Sequence, residues 1–152
     1  VGVNQPNQIE QKWLDDIAKD DSVIVFTETT SNLHHKKAIN SIDQLIFSLD
    51  ENQFQNLQPD ILITFGGMIV SKKIKAFLRQ YKPKYHWHID KENAPNTFFC
   101  LSHHFKVSAQ LFFSQFFFLT KTLESGYQNE FFELKKIRQE NHANHLKIHL
   151  YS

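Results

Sequence analysis

The chain has 152 residues, 17 basic against 16 acidic side chains for a formal net charge of +1, and 15 phenylalanines. That length suits one domain, whose core could bury about 70% of the surface the unfolded chain exposes. Interspersed, nearly balanced charge gives no electrostatic reason to expect nucleic acid or a membrane surface as partner, and no apolar run approaches the ~20 residues a membrane helix needs.

The start, Val1-Gly2-Val3-Asn4-Gln5-Pro6, has neither an initiator Met nor a charged-then-apolar leader, and it reads as a cut end. Ile9, Trp13, Leu14 and Ile17 recur at helical spacing and predict an amphipathic helix over about residues 7–19. Val23-Ile24-Val25-Phe26 is a short β-branched run between polar residues, the pattern of a buried parallel strand. The polar stretch from Thr27 to Asn40 follows as loop and short helix. Ile42 to Leu49 and Phe54 to Leu57 read as brief helices, and Pro59-Asp60 punctuates before a strand at Ile61-Leu62-Ile63-Thr64-Phe65.

Gly66-Gly67 turns the chain out of that strand. Val70, Ile74, Phe77, Leu78 and Tyr81 then form the apolar stripe of a helix that Pro83 ends. Tyr85 to Ile89 alternates and predicts a third strand, Thr97 to Leu101 a short fourth. Ser108 caps a Phe-rich helix reaching about Leu123, and after Gly126 a last helix covers about residues 127–141. Strands alternating with helices across short turns imply an α/β, three-layer Rossmann-like domain with a parallel sheet covered on both faces. Its expected extent is residues 1–140, with 141–152 starting a linker to a further domain.

Ile61 to Leu78 is the most informative stretch. Ligands of open parallel sheets bind at the carboxyl ends of strands, and helix N-termini attract anions through unpaired N–H groups and the helix dipole. Lys72 and Lys73 stand in the first turn against that dipole, a conflict that an anionic partner would remove; solvated surface lysines are the plain alternative. Gly66-Gly67 is no dinucleotide fingerprint, because Met68-Ile69-Val70 follows where a third glycine is needed. Asp90 could imitate a ribose-binding acid but reads better as a solvated loop residue.

The polar cluster Glu28-Thr29-Thr30-Ser31-Asn32 sits just past the first expected strand, a possible neighbour of the lysines, with Ser31 or Asn32 otherwise serving as an ordinary cap. Nine histidines, among them His34-His35, His86 and His88 on one strand face, His103-His104, and the trio His142, His145 and His149, raise a metal site. Without converging Cys or carboxylate partners they read as scattered surface groups. Cys100 is single, so no intramolecular disulfide forms and a reducing cytoplasm is the expected compartment; it reads as a small core residue. The clusters Phe112-Phe113 and Phe116-Phe117-Phe118 read as core or interface.

The block from Pro59 to Arg79, with Gly66-Gly67 and Ser71-Lys72-Lys73 at its centre, and His86-Trp87-His88-Ile89-Asp90 after it, resembles the central domain of the 2-succinyl-5-enolpyruvyl-6-hydroxy-3-cyclohexene-1-carboxylate (SEPHCHC) synthase family of menaquinone biosynthesis. Thr27 to Leu33, Pro95-Asn96-Thr97-Phe98 and Leu101-Ser102-His103-His104-Phe105 fit it too. The resemblance implies an enzyme of three domains that decarboxylates 2-oxoglutarate on thiamine diphosphate and adds the succinyl-semialdehyde unit to isochorismate, working as a dimer or tetramer. Thiamine diphosphate and Mg²⁺ (or Mn²⁺) would be held by the other domains, so this piece is expected to hold neither and to be inactive alone. A basic pair opening the central helix meets substrate carboxylates in that family. By motif position the pair is Lys72 and Lys73, although Lys73 stands where arginine is frequent and lacks arginine's bidentate fork. A free-standing nucleotide-binding module and a dimerisation domain are the rival readings.

Overall fold

Ile61–Phe65 is a continuous apolar run and Tyr85–Ile89 an alternating one, and both segments enter one sheet. The computed structural model describes residues 1–119 and 123–151, with the description of 117, 118, 138 and 141–151 limited to the backbone. Strands β1 (Ile61–Phe65), β2 (Tyr85–Ile89) and β3 (Leu101–Phe105) form a parallel sheet in the order β1-β2-β3. Ile61 pairs with Tyr85 and Phe65 with Ile89, and the β2–β3 register slips between His86 and Trp87. The helices are α1 (Gln11–Ala18), α2 (Ile42–Phe47), α3 (Glu51–Leu57), α4 (Lys72–Gln80), α5 (Ala109–Leu119) and α6 (Tyr127–Tyr151).

Two hydrophobic clusters cover the two faces. On one, α2, α3, α4 and α6 bury Ile42, Leu45, Leu57, Ile74, Phe77 and Phe131 against Leu62. On the other, Leu14 of α1 and Phe113 of α5 close over Phe65 and Ile89. The α/β class with helices on both faces is therefore the observed architecture. Cys100 packs at the margin of the first cluster, where burial pushes its thiol pKa up.

Four local expectations are corrected. Val23–Phe26 is no strand: only a single parallel bridge forms there, between Phe26 and Ile39. Its backbone is spent elsewhere, since Ile39 N–H donates to Val25 (2.8 Å) and Thr27 N–H to Ile39 (3.0 Å). Val1 and Gly2 intervene on the other side, donating to the carbonyls of Phe26 and Phe65 at 2.8 and 2.9 Å. Among the described residues β2 alone is then an interior strand. The strand expected at Thr97–Leu101 begins only at Leu101, because Phe99 takes a left-handed φ of 60° and Asn96 Oδ1 caps the Leu101 N–H at 2.9 Å. The first helix begins at Gln11, not residue 7, because Asn7 has φ 61°. The last helix continues in its backbone to Tyr151. The expected end of the Phe-rich helix at Leu123 runs through residues 120–122, which lie outside the described ones.

Gly66 has a specific reason to be glycine. Its φ is +84°, and a Cβ there would stand 2.8 Å from the Val3 carbonyl oxygen. At Gly67, with no positive φ, the same atom would meet Val3 at 3.4 Å, a much milder crowding. Gly66→Ala is therefore expected to destabilise the domain by about 1–3 kcal/mol and Gly67→Ala by clearly less. Urea unfolding of the two variants checks the order.

Candidate functional site

The carboxyl edge of β1 is built from three pieces of chain. Gly66-Gly67 turns out of the strand, residues 2–4 cross that turn, and the short 3-10 turn Thr29–Ser31 closes the side. Gly67 N–H donates to Val3 (2.6 Å), Val3 N–H to Met68 (3.1 Å) and Asn4 N–H to Thr30 (2.9 Å). Helix α4 then starts at Lys72, with Ser71 as N-cap accepting from the Ile74 N–H at 3.2 Å. Ile74, Phe77 and Leu78 fix its buried face, so Lys72 and Lys73 are left exposed at the edge.

The start of this helix is already occupied by acid. Both oxygens of Glu28 accept from the Val70 N–H, at 2.9 and 3.1 Å, and Oε2 also accepts from the Ser71 N–H at 2.9 Å. The Ser71 hydroxyl donates to Asp43 of α2. Of the N–H groups at this end, those of Val70 and Ser71 just before the helix and that of Ile74 inside it are satisfied from within. An incoming anion would be met by the lysine side chains and by what remains of the first turn. Glu28 and Asp43 also place negative charge at the helix start, where the dipole favours it.

The two lysines differ. Among the described residues no carboxylate pairs with either. Lys73 Nζ lies 4.9 Å from the ring centroid of Phe47, itself 71% exposed, so it leans over α2. Lys72 has no such contact and is the freer cation. Met68 and Val70, 72% and 54% exposed, precede it on the loop. Ser31 is fully buried; its hydroxyl accepts from the Glu28 N–H (2.9 Å) and donates to Val1 (2.8 Å). Asn32 is left-handed at φ 53° and its amide donates to the carbonyls of Asn4 and Thr30. Both therefore shape the loop.

Sequence reasoning placed Glu28 in this cluster without giving it a task, and passed over Asp43. An acid directly after an apolar run was the available signal for the first; none pointed to the second.

The histidines on β2 are not surface groups. His86 and His88 are 1% and 5% exposed, and Thr64 Oγ1 bonds His86 Nε2 at 2.8 Å and His88 Nδ1 at 2.7 Å. One hydroxyl proton serves one ring nitrogen, so the other must bring its own N–H. His104 Nε2 donates to the Asp90 carbonyl at 2.8 Å, and the Asp90 carboxylate accepts from the N–H groups of Glu92 and Asn93, which holds its pKa below the usual range. His35 is held as well: its Nδ1 accepts from Lys37 N–H at 3.0 Å, leaving Nε2–H to donate to Asp15 at 2.9 Å. That pair lines an open cleft of about 500 Å³ between α1 and residues 33–40, a lining that does not include Lys72 or Lys73. The side chains of His142, His145 and His149, and of Phe117 and Phe118, lie outside the described residues. Among the described residues no three His, Cys, Asp or Glu side chains gather as a metal-ligand set.

Nor do these residues fit a diphosphate. The Gly66-Gly67 turn, which could cradle one, is filled by the Val3 carbonyl, and Glu28 takes the neighbouring N–H groups.

The fold is thus a Rossmann-like parallel sheet with a cationic helix start at its carboxyl edge. In agreement, a family model described as the middle domain of thiamine pyrophosphate enzymes matches residues 5–123, and the chain belongs to that family. It is similar to 2-succinyl-5-enolpyruvyl-6-hydroxy-3-cyclohexene-1-carboxylate synthases. The synthase of Flavobacterium johnsoniae is 50% identical over 141 residues, 91% of this chain and 26% of that protein. Those of Christiangramia forsetii and Porphyromonas gingivalis are 63% identical over 107 residues and 35% over 117, covering 67% and 76% of this chain but 18% and 20% of theirs. The chain thus spans about a quarter or less of the length of the curated relatives it matches. No helix among the described residues is long and apolar enough to cross a membrane.

Proposed function

We propose that this chain is the central domain of a cytoplasmic SEPHCHC synthase, and that its part in the reaction is to present Lys72, seconded by Lys73, to a carboxylate of 2-oxoglutarate or isochorismate. The observation that carries the reading is the exposed Lys72 at the carboxyl edge of β1, unpaired among the described residues and preceded on its loop by exposed Met68 and Val70. Apolar groups beside a free cation suit an edge that other domains of the same protein cover, and the similarity to synthases of roughly four times this length supports such domains. Residues 1–140 would be the domain proper and 141–152 the way toward the next one, in an enzyme that works as a homo-oligomer.

Thiamine diphosphate, with Mg²⁺ or Mn²⁺, would be bound outside this chain and supply the decarboxylation and carboligation chemistry. The chain's own work is to bind and orient: an ammonium on a flexible stem meets a carboxylate as a point charge, through charge-assisted hydrogen bonds worth roughly 1.5–3 kcal/mol. Ser31 and Asn32 would contribute through the shape of the loop behind Lys72.

The test compares the isolated chain with the full-length protein. The full-length protein is expected to turn over 2-oxoglutarate and isochorismate together. Calorimetry of the isolated chain with thiamine diphosphate and Mg²⁺ should give no saturable heat. Micromolar binding by the isolated chain would falsify the assignment of the cofactor to other domains.

A further inference from the structure

We propose that Glu28 is a positioning residue for the cationic edge at Lys72, an inference that rests on the reading above. Its carboxylate reaches across 42 residues of sequence to take the backbone N–H groups of Val70 and Ser71, the two residues immediately before Lys72, through three contacts of 2.9–3.1 Å. Charge-assisted bonds of this kind are about twice as strong as neutral ones. The backbone that carries this side chain is itself anchored, because the Glu28 N–H donates to the fully buried Ser31 hydroxyl at 2.9 Å. Met68 and Val70 on the same loop are exposed, and the other ties of this loop, Val3 N–H to the Met68 carbonyl and the Ser71 hydroxyl to Asp43, leave the Val70 and Ser71 N–H groups to Glu28.

Two consequences follow for a substrate carboxylate. Lys72 starts from a backbone origin that Glu28 fixes, so its ammonium sweeps a smaller volume. The anion position at the helix end is filled by a resident carboxylate, so the substrate is steered to the lysine side chains rather than to the N–H groups of Val70 and Ser71. Removing the carboxylate would both loosen Lys72 and open a competing anion position at the two residues before it.

A double-mutant cycle in the full-length enzyme separates positioning from plain structural support. Glu28→Ala is expected to lower kcat/KM for one dicarboxylate about tenfold, chiefly through KM, with thiamine diphosphate affinity unchanged. Combined with Lys72→Ala it should add less than about twofold, because a residue acting through Lys72 has nothing left to position. Glu28→Gln, which keeps one acceptor oxygen, should recover part of the loss, and it carries the test if the alanine variant fails to fold. In the isolated chain, hydrogen exchange should quicken at the Val70 and Ser71 amides and not at those of β2. An equal loss from Glu28→Ala with and without Lys72 would overturn the proposal and leave a structural role only. A silent Glu28→Ala beside a damaging Lys72→Ala would overturn it while leaving the function of Lys72 standing. A silent Lys72→Ala would remove both.

Discussion

Lys72→Ala in the full-length protein is expected to lower kcat/KM for one dicarboxylate substrate by about ten- to a hundredfold, the equivalent of losing one charge-assisted hydrogen bond. The loss should fall on that substrate alone, since thiamine diphosphate is assigned to other domains. Lys73→Ala should cost less, because Lys73 Nζ already rests 4.9 Å from the Phe47 ring and gives up that contact to reach a ligand. Lys75→Ala, beyond the first turn of α4 and past the buried Ile74, should be close to silent. The control matters, as Lys75 shares the helix and the charge but not the place. Steady-state kinetics of the three variants with each dicarboxylate varied in turn gives the answer. Equal values for the Lys72 and Lys75 variants would return the lysine pair to solvated surface.

The second large effect is on stability as pH falls. His86 is pushed down to about 4, first by burial and then by the neighbouring His88, and His88 is lowered for the same leading reason. The geometry explains the resistance to protonation. An imidazolium needs acceptors for both N–H groups, yet His86 Nδ1 is buried with no partner among the described residues, and Nε2 has only the Thr64 hydroxyl. The neutral forms are native, so the unfolded chain, with an ordinary histidine pKa near 6.5, binds protons that the folded chain refuses. The contribution is therefore complete above about pH 6.5 and is lost progressively as pH falls toward 4. For His86 alone the loss between pH 7 and 4.5 is on the order of 2–3 kcal/mol, with His88 adding in the same direction. Asp90, whose pKa is lowered, has the same sign in a more acidic window, below its ordinary 3.8. Urea unfolding at pH 7, 5.5 and 4.5 should show the decline, and His86→Leu should flatten it. A flat profile for the unaltered chain would contradict the buried neutral pair.

The legible parts of the fold were those where one signal dominates. Ile61–Phe65 and Tyr85–Ile89 are apolar or alternating runs bounded by Pro59-Asp60, Gly66-Gly67 and Pro83, and Ile74, Phe77 and Leu78 mark the buried stripe of α4 between them. Val23–Phe26 carries the same composition but no sheet pairing, because residue preference records what suits a strand and not which backbone lies beside it. Here Ile39 and residues 1–2 take those places. Asn7 and Phe99 delay the start of the elements that follow them by adopting positive φ, which an asparagine or phenylalanine does not announce as a glycine would.

The candidate site was legible in its cations and not in its anions. Lys72 and Lys73 stand out because they oppose the helix dipole. That Glu28 and Asp43 place negative charge at the same helix start is a long-range fact, set by how the 28–31 turn and α2 dock on α4. His86 and His88 were placed on one face by alternation alone. Their burial is matched by Thr64 on the neighbouring strand β1, whose hydroxyl bonds one nitrogen of each ring.

The central claim is that the start of α4 delivers a cation to a substrate carboxylate in the assembled enzyme. A crystal structure of the full-length protein with thiamine diphosphate and its dicarboxylate substrates bound is the most direct measurement. The account predicts Lys72 Nζ within hydrogen-bond reach of a substrate carboxylate, roughly 2.7–3.2 Å, with Glu28 still on the N–H groups of Val70 and Ser71. A substrate whose carboxylates are all held by other domains, with Lys72 facing solvent, would contradict it.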